Sequence, residues 1–153
     1  MKFLCDQMLA GLGKWLRAAG YDTEIIENSE KDREIHDYAL KEQRCLLTRD
    51  HHFLQMKMPE KSMIFLNGNS IIDCVRELNR VFDVNWLYQP FSRCLVCNTL
   101  LEKPNDQMLE EIPSKVRSEA KQVWYCSHCK KVFWEGSHTV RMSKQLHLWQ
   151  MLK

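Results

Sequence analysis

The sequence predicts an α/β fold with a mostly parallel sheet flanked by helices, followed by a small cysteine-rich module. Two observations predict it. Over residues 1–89 short apolar runs alternate with amphipathic segments, and beyond residue 90 four cysteines form two C-x-x-C pairs. Strands that alternate with helices favour parallel pairing with right-handed crossovers. We therefore predict two domains, residues 1–89 and residues 90–153.

Short apolar runs predict the strands, and apolar residues at helical spacing predict the helices. The predicted strands are residues 2–6, 23–27, 44–48 and 62–66, and the predicted helices are residues 7–19, a segment opening at Asp32, and residues 70–82. Gly11 and Gly13 inside the first helix cost roughly 1 kcal/mol each relative to Ala. They indicate either close packing or the close approach of a ligand.

The composition indicates a globular chain, with 44% hydrophobic and 27% charged residues. It contains no apolar run of about 18 residues, so no membrane partner is expected. Asp6 falls where a signal peptide needs its apolar segment, which predicts that the chain is not exported. Seven cysteines in such a chain favour a cytoplasmic protein whose thiols stay free or bind metal.

The charge is distributed unevenly along the chain. Residues 1–113 contain 14 Lys and Arg against 18 Asp and Glu, a net charge of −4, whereas residues 114–153 contain 8 against 2, a net charge of +6. An acidic first part suits a metal ion, and a basic last part suits a polyanion. A solvated basic helix explains the last part equally well.

Three aspartates come at or just after predicted strand ends. Asp6 ends the first strand, Asp32 opens the helix after the second, and Asp50 follows the third by two residues. Ligands of open parallel sheets bind outside the carboxyl ends of the strands. Carboxylates gathered there repel one another unless a cation lies between them, and hard oxygen ligands favour Mg²⁺ or Mn²⁺. Each aspartate alone is also a plausible helix cap or turn residue.

A divalent ion at this edge would activate water and stabilise the charge on a phosphoryl group. Our hypothesis is therefore phosphodiester hydrolysis at Asp6, Asp32 and Asp50. Arg17 and Arg49 are candidate phosphate contacts, because a guanidinium matches phosphate geometry. The neighbouring histidines, 51 and 52, are either exposed loop residues or contacts to metal or phosphate.

The two C-x-x-C pairs, Cys94 with Cys97 and Cys126 with Cys129, are separated by 28 residues. Two such turns complete a tetrahedral Zn²⁺ site, and four thiolates leave no open position for catalysis, so we predict structural zinc. The remaining cysteines are expected to be small core residues. They are Cys5, Cys45 and Cys74.

Between and after these pairs, the pattern predicts a helical stretch at residues 115–122 and the strands of a zinc ribbon near residues 124–126 and 130–138. Cations mixed with aromatics are typical of contacts with single-stranded nucleic acid. The candidate contacts are Lys130, Lys131, Trp134, His138, Arg141 and Lys144. Packing inside the module is the alternative for the aromatics, and we favour it for Phe133.

Several motifs, in order along the chain, resemble the Mut7-C family, in which a PIN-like ribonuclease domain carries a zinc ribbon. They are KFLCDQMLAGLGKWLRAAGYDT, the D-x6-A of Asp32 to Ala39, RCLLTRD, SRCLVCN, and the second C-x-x-C followed by VFWEGSH. The resemblance implies a PIN-like fold, metal-dependent cleavage of RNA, and Asp6, Asp32 and Asp50 as the acids. Gln7 and His52 depart from it, since relatives often carry an acid there.

These observations together predict an Mg²⁺- or Mn²⁺-dependent ribonuclease whose zinc ribbon helps to bind single-stranded RNA. A different class of function is the alternative: an adaptor for RNA or protein in which the acids only cap helices. A phosphatase-like hydrolase on the same acidic site is a third interpretation.

Overall fold

The computed structural model describes residues 1–26 and 31–152. Within these ranges, four strands form one sheet in the order β2-β1-β3-β4, and every neighbouring pair is parallel. The strands are β1 (Lys2–Cys5), β2 (Asp22–Ile25), β3 (Cys45–Thr48) and β4 (Met63–Phe65). The α/β class with a parallel sheet is confirmed. β2 starts at Asp22, one residue before the predicted start. Glu27, the last residue of the predicted strand, lies outside the described residues.

The helices of the described residues occur in the predicted order, with one additional short α-helix, Asp106–Glu110. Those of the described residues are α1 (Ala10–Ala18), α2 (Asp32–Lys41), α3 (Ile71–Val81), α4 (Asp106–Glu110), α5 (Ser114–Glu119) and α6 (Ser137–Gln150). An antiparallel hairpin of β5 (Val123–Cys126) and β6 (Lys131–Trp134) forms the predicted ribbon strands. None of the helices in the described part of the chain is long and apolar enough to cross a membrane.

The first helix starts later than predicted, whereas the second starts at Asp32 as predicted but has a different cap residue. The first predicted helix divides into a 3₁₀ turn and α1, because the Asp6 carboxylate accepts a hydrogen bond from the N–H of Leu9 and caps the turn. Asp32 is the first residue of α2, so its interpretation as the cap is wrong. The cap position is Lys31, whose N–H donates to the Glu34 carboxylate at 3.4 Å.

Close packing explains Gly13 inside α1. A Cβ at this position would lie 2.8 Å from Cγ1 of Ile25 and 3.3 Å from Sγ of Cys5, which is closer than ordinary van der Waals contact. The glycine therefore lets α1 lie directly against β1 and β2. This contact supports packing, rather than ligand approach, as the reason for that residue.

The main hydrophobic core joins the beginning of the chain to its end. Leu12 and Leu16 of α1 share one buried cluster with Leu146 and Trp149 of α6. The Trp149 ring lies 4.6 Å from the ring of Trp15 and 5.1 Å from that of Trp86, measured between centroids. The proposed domains, residues 1–89 and 90–153, therefore share one core.

We expect the C-terminal helix to contribute strongly to stability. Replacing buried Leu146 by Ala should lower the free energy of unfolding by about 2–5 kcal/mol, because it removes core contacts and leaves a cavity. The matched control is Leu148→Ala on the same helix, where the side chain is 57% exposed and the expected change is within about 0.5 kcal/mol. Urea unfolding of the zinc-loaded chain measures both, and equal losses would contradict the packing.

Candidate functional site

The Asp6 carboxylate joins the ends of β1 and β3. Its Oδ2 accepts hydrogen bonds from the Thr48 hydroxyl at 2.6 Å and from the N–H of Arg49 at 2.7 Å. Its Oδ1 accepts from the N–H of Leu9 at 2.9 Å. The side chain is buried, and charge-assisted bonds of this kind are about twice as strong as neutral ones. Asp6 therefore fixes the edge of the sheet at which the strands end.

Three side chains converge beyond this edge: Asp32, Asp50 and His52, here called the edge trio. One ligand atom from each lies within 4.8 Å of the other two. Nδ1 of His52 is 3.7 Å from Oδ2 of Asp32 and 3.5 Å from Oδ1 of Asp50. The two carboxylates are 38% and 39% exposed, so a ligand from solution can reach them.

Local turn chemistry positions the edge trio. The Asp50 N–H donates to the Thr48 hydroxyl at 3.0 Å, and its carboxylate accepts from the N–H of His52 at 2.9 Å. Asp50 thereby caps a 3₁₀ turn, His51–Gln55, whose Phe53 is buried in the core. The turn directs the chain back toward the first residue of α2, which places His52 beside Asp32.

The predicted trio of aspartates is therefore only partly assembled. Asp32 and Asp50 come together as expected, but the third member of the cluster is His52 in place of Asp6. Asp6 lies at the same edge, and its two oxygens already accept three hydrogen bonds from the protein. The sequence did carry a signal for His52, since two histidines directly follow Asp50 and contact with metal was one interpretation of them.

The donor set of the edge trio fits a small divalent cation. Ligand oxygens at about 2.0–2.1 Å from an octahedral ion lie roughly 3 Å apart when adjacent and 4 Å apart when opposite. The observed separations of 3.5 and 3.7 Å exceed the adjacent value by roughly half an ångström, so these exposed side chains would draw closer together around such an ion. Carboxylates and water suit Mg²⁺ and Mn²⁺, and an imidazole shifts the preference toward transition metals.

The two candidate arginines differ in their surroundings. Arg49, which directly precedes Asp50, is partly exposed and donates from Nη2 to Oδ1 of Asn69 at 3.2 Å. Arg17 is buried, and burial lowers the pKa of its guanidinium below the ordinary value. It donates to three backbone carbonyls, those of Thr23, Leu95 and Val96, at 2.7, 3.0 and 2.8 Å. This geometry argues against Arg17 as a phosphate contact, because the side chain is buried and its Nε and Nη1 groups already donate to carbonyls of the protein.

The four ribbon cysteines form a second cluster. Their sulfur atoms all lie within 4.8 Å of one another, with 3.9 Å between Cys94 and Cys129 and 3.4 Å between Cys97 and Cys126. A tetrahedral zinc with bonds of about 2.3 Å requires sulfurs roughly 3.8 Å apart. All four are free thiols, so the geometry and chemistry fit a closed structural zinc site.

Buried polar side chains fix this ribbon to the open edge of β2. Asn98, which adopts a φ of 71°, accepts at Oδ1 from the N–H of Thr23 and donates from Nδ2 to the Asp22 carboxylate at 2.8 Å. Burial opposes ionisation of Asp22, but hydrogen bonds from Arg44 and Asn98 outweigh it and hold the pKa of Asp22 below its ordinary value. The ribbon thus contacts the start of β2, whereas the edge trio lies beyond the strand ends.

The candidate nucleic-acid contacts all project into solvent. They are Lys130, Lys131, Trp134, His138, Arg141 and Lys144, and each is exposed. The first three belong to the hairpin, and the last three belong to α6. Phe133, which we expected to pack inside the module, is only partly exposed.

Comparison with known proteins gives the family. The Mut7-C RNAse domain model matches residues 1–146. The chain belongs to the Mut7-C RNAse domain family. This Mut7-C chain is also 29% identical over 101 residues to the exonuclease mut-7 homolog of Homo sapiens. That match covers 63% of this chain but only 12% of the human protein. No solved structure matches.

We expect the four-cysteine cluster to bind one zinc ion per chain. Cys126→Ser should lose most of this zinc and unfold at a lower temperature, because a serine hydroxyl is a poor zinc ligand and structural sites contribute directly to folding. Cys45→Ala, which changes a buried cysteine of β3 outside the cluster, should keep its zinc. Elemental analysis of the purified proteins provides the measurement. Equal zinc in the two variants would refute the assignment.

We expect Asp6 to contribute more to stability than Asp32 does. Asp6→Asn should lower the free energy of unfolding by about 1–3 kcal/mol, because an amide NH₂ would face a hydrogen-bond donor at the buried edge. Asp32→Asn should change it by no more than about 0.5 kcal/mol, since that carboxylate is partly exposed. Denaturant titrations without added divalent metal test the difference. A larger loss for Asp32→Asn would reverse these roles.

Proposed function

We propose that the chain is a divalent-metal-dependent ribonuclease that hydrolyses phosphodiester bonds of single-stranded RNA. The observation that carries this proposal is the edge trio, which gathers two carboxylates and an imidazole at the carboxyl edge of a parallel sheet. Membership of an RNAse domain family supports RNA as the substrate class. The name of the human relative, an exonuclease homolog, is consistent with nucleic-acid hydrolysis.

The residues of the edge trio would hold the metal ion, Mg²⁺ or Mn²⁺. Asp32 and Asp50 supply carboxylate oxygens, and His52 supplies a ring nitrogen from the turn that Asp50 caps. Bound there, such an ion supplies an activated water and stabilises negative charge that develops on the phosphoryl group. Their partial exposure leaves room for water and a phosphate beside the protein ligands.

Asp6 acts in this proposal as a positioning residue. Its carboxylate holds the Thr48 hydroxyl, and that hydroxyl accepts a hydrogen bond from the Asp50 N–H. The chain of bonds sets the backbone from which the Asp50 side chain projects. Asp6 thereby supports metal binding without supplying a ligand.

Arg49 is the proposed phosphate contact. Its N–H is fixed by Asp6, while its side chain reaches Asn69 over an exposed hydrogen bond of 3.2 Å. An exposed bond of this kind is easily exchanged for the stronger, charge-assisted bond to a phosphate oxygen. The guanidinium would then orient the phosphodiester against the edge trio and offset its charge.

The zinc ribbon has a separate role in this proposal. Zn²⁺ in the four-cysteine cluster would stabilise the module, and the exposed cations of the hairpin and α6 would attract the RNA backbone. The most direct candidates are Lys130, Lys131 and Arg141. Binding through phosphates alone is independent of sequence, so this surface would guide many RNA strands.

An RNA-binding adaptor without hydrolysis is the second candidate. One observation favours it, because Asp6 is committed to hydrogen bonds and the edge trio then contains only two carboxylates. Fewer acids bind Mg²⁺ more weakly. The adaptor would keep the ribbon surface and dispense with hydrolysis.

We expect cleavage of labelled single-stranded RNA in the presence of Mn²⁺. Asp32→Asn and Asp50→Asn should each reduce the rate by at least about 100-fold, because each removes a charged metal ligand. Asp37→Asn is the matched control, since Asp37 is an exposed residue of the same helix as Asp32 and lies outside the edge trio. Its rate should equal that of the parent.

Product gels and Mn²⁺ titrations distinguish the two candidates. Equal products from the parent and both aspartate variants would attribute any cleavage to a contaminant and remove the nuclease assignment. RNA binding by the parent without any product would favour the adaptor.

A further inference from the structure

We propose that a cavity between the ribbon and α6 binds an unpaired base of the RNA strand, stacked on Trp134. This deepens the proposed function, because it takes RNA as the substrate and assigns a base-binding site on it. The cavity, here called the ribbon cavity, has a volume of about 610 Å³. Cavities that bind small ligands usually measure roughly 300–1,000 Å³.

Aromatic and apolar side chains form most of the wall of the ribbon cavity, and polar groups stand among them. The apolar part includes Phe91, Leu95, Trp124, Phe133, Trp134 and Met142. Arg93 and His138 are among the residues that add polar groups to the wall. This combination suits a flat ring that has polar atoms along its edge, as a nucleobase has.

Trp134 is available for stacking. It ends β6, and its side chain is 39% exposed although it lines the cavity. A Cβ at Gly136 would contact two atoms of the indole at 3.7 Å, and the glycine leaves this space beside the ring free. Every base presents a π-face, and stacking on an exposed aromatic is therefore tolerant of sequence.

The charges of the residues in and near the ribbon cavity favour a nucleotide over an uncharged apolar ligand. None of the described residues that line the cavity is acidic, and residues 114–153 carry eight Lys and Arg against two Asp and Glu. The two elements that form the cavity also carry exposed cations, Lys131 on the hairpin and Arg141 and Lys144 on α6. Aromatic side chains and cations on the same elements match a base attached to a phosphate backbone.

The location of the ribbon cavity separates base binding from hydrolysis. The ribbon contacts the start of β2 through Arg17 and Asn98, and the edge trio lies beyond the strand ends. Four residues of strand span about 13 Å, which exceeds the rise of roughly 3.4 Å per stacked nucleotide. The stacked base and the phosphodiester that is hydrolysed therefore lie at different places on the protein, separated by more than one nucleotide of the strand.

The test measures binding without cleavage. A fluorescently labelled oligoadenylate is titrated with the zinc-loaded full chain in buffer without Mg²⁺ or Mn²⁺, and anisotropy reports the dissociation constant. Trp134→Ala should weaken binding by about 5- to 150-fold, the usual effect of losing one stacked base. Trp134→Phe should restore most of it. Leu148→Ala, an exposed apolar change on α6 away from this cavity, should bind as the parent does.

A second experiment leaves the tryptophan unchanged and removes the base from the RNA. The same oligoadenylate with single abasic riboses, placed at each position in turn, keeps every phosphate. With the abasic ribose at one or two positions, the parent should bind as weakly as Trp134→Ala binds the intact strand. At those positions, Trp134→Ala should bind the abasic strand and the intact strand equally. Zinc content and thermal unfolding confirm that the variants are folded.

Two results would overturn the proposal. Equal affinity of Trp134→Ala and Leu148→Ala would show that the tryptophan contacts no base. Equal binding of intact and fully abasic strands, or of heparin in their place, would show that the surface recognises polyanions only. Neither result depends on cleavage, so failure of this proposal is distinguishable from failure of the nuclease assignment, which is tested with Mn²⁺ at the edge trio.

Discussion

The hydrogen bonds of one buried carboxylate set the geometry of the sheet edge. Asp6 accepts from Leu9, Thr48 and Arg49, and so it connects the turn after β1 to the end of β3. These hydrogen bonds hold the two strand ends in fixed positions. They thereby orient the turn that begins at Asp50, and this orientation brings His52 close to Asp32. A residue with the features of a metal ligand thus also fixes the backbone from which Asp50 and His52 project.

A similar use of buried polar groups fixes the ribbon. Arg17 from α1 donates to two carbonyls of the first C-x-x-C turn, and Asn98 directly after that turn pairs with the edge of β2. The edge strand of the sheet is thereby covered, and an unpaired edge would otherwise invite association with other chains. Zinc that orders the cysteine turns would consequently also order the groups that cover this edge.

The sequence predicted the parts of the structure that depend on local pattern. Apolar runs located all four strands, helical spacing located α1, α2 and α3, and the C-x-x-C pairs located the sulfur cluster. The same reasoning brought Asp32 and Asp50 together, because parallel strands end at a common edge. These inferences needed only the chain order and the periodicity of side chains.

The parts that escaped prediction depend on contacts between distant segments. Nothing local indicated that the Asp6 carboxylate would accept three hydrogen bonds from the protein, and its assignment as a metal ligand stays a prediction. Arg17 is a plausible phosphate contact by residue type alone. Only the folded structure shows that it donates to carbonyls of the ribbon. The role of α6 was missed for the same reason, since its apolar residues meet α1 across more than a hundred residues of chain.

The late position of α6 has a consequence for biosynthesis. Met142, Leu146 and Trp149 share a buried cluster with Phe3, so α6 covers apolar surface that the first strand contributes. A ribosome releases the sheet and its first helices before it has made α6. The nascent chain therefore carries an uncovered apolar face until α6 has emerged, and this face is the kind of surface that chaperones near the exit tunnel bind.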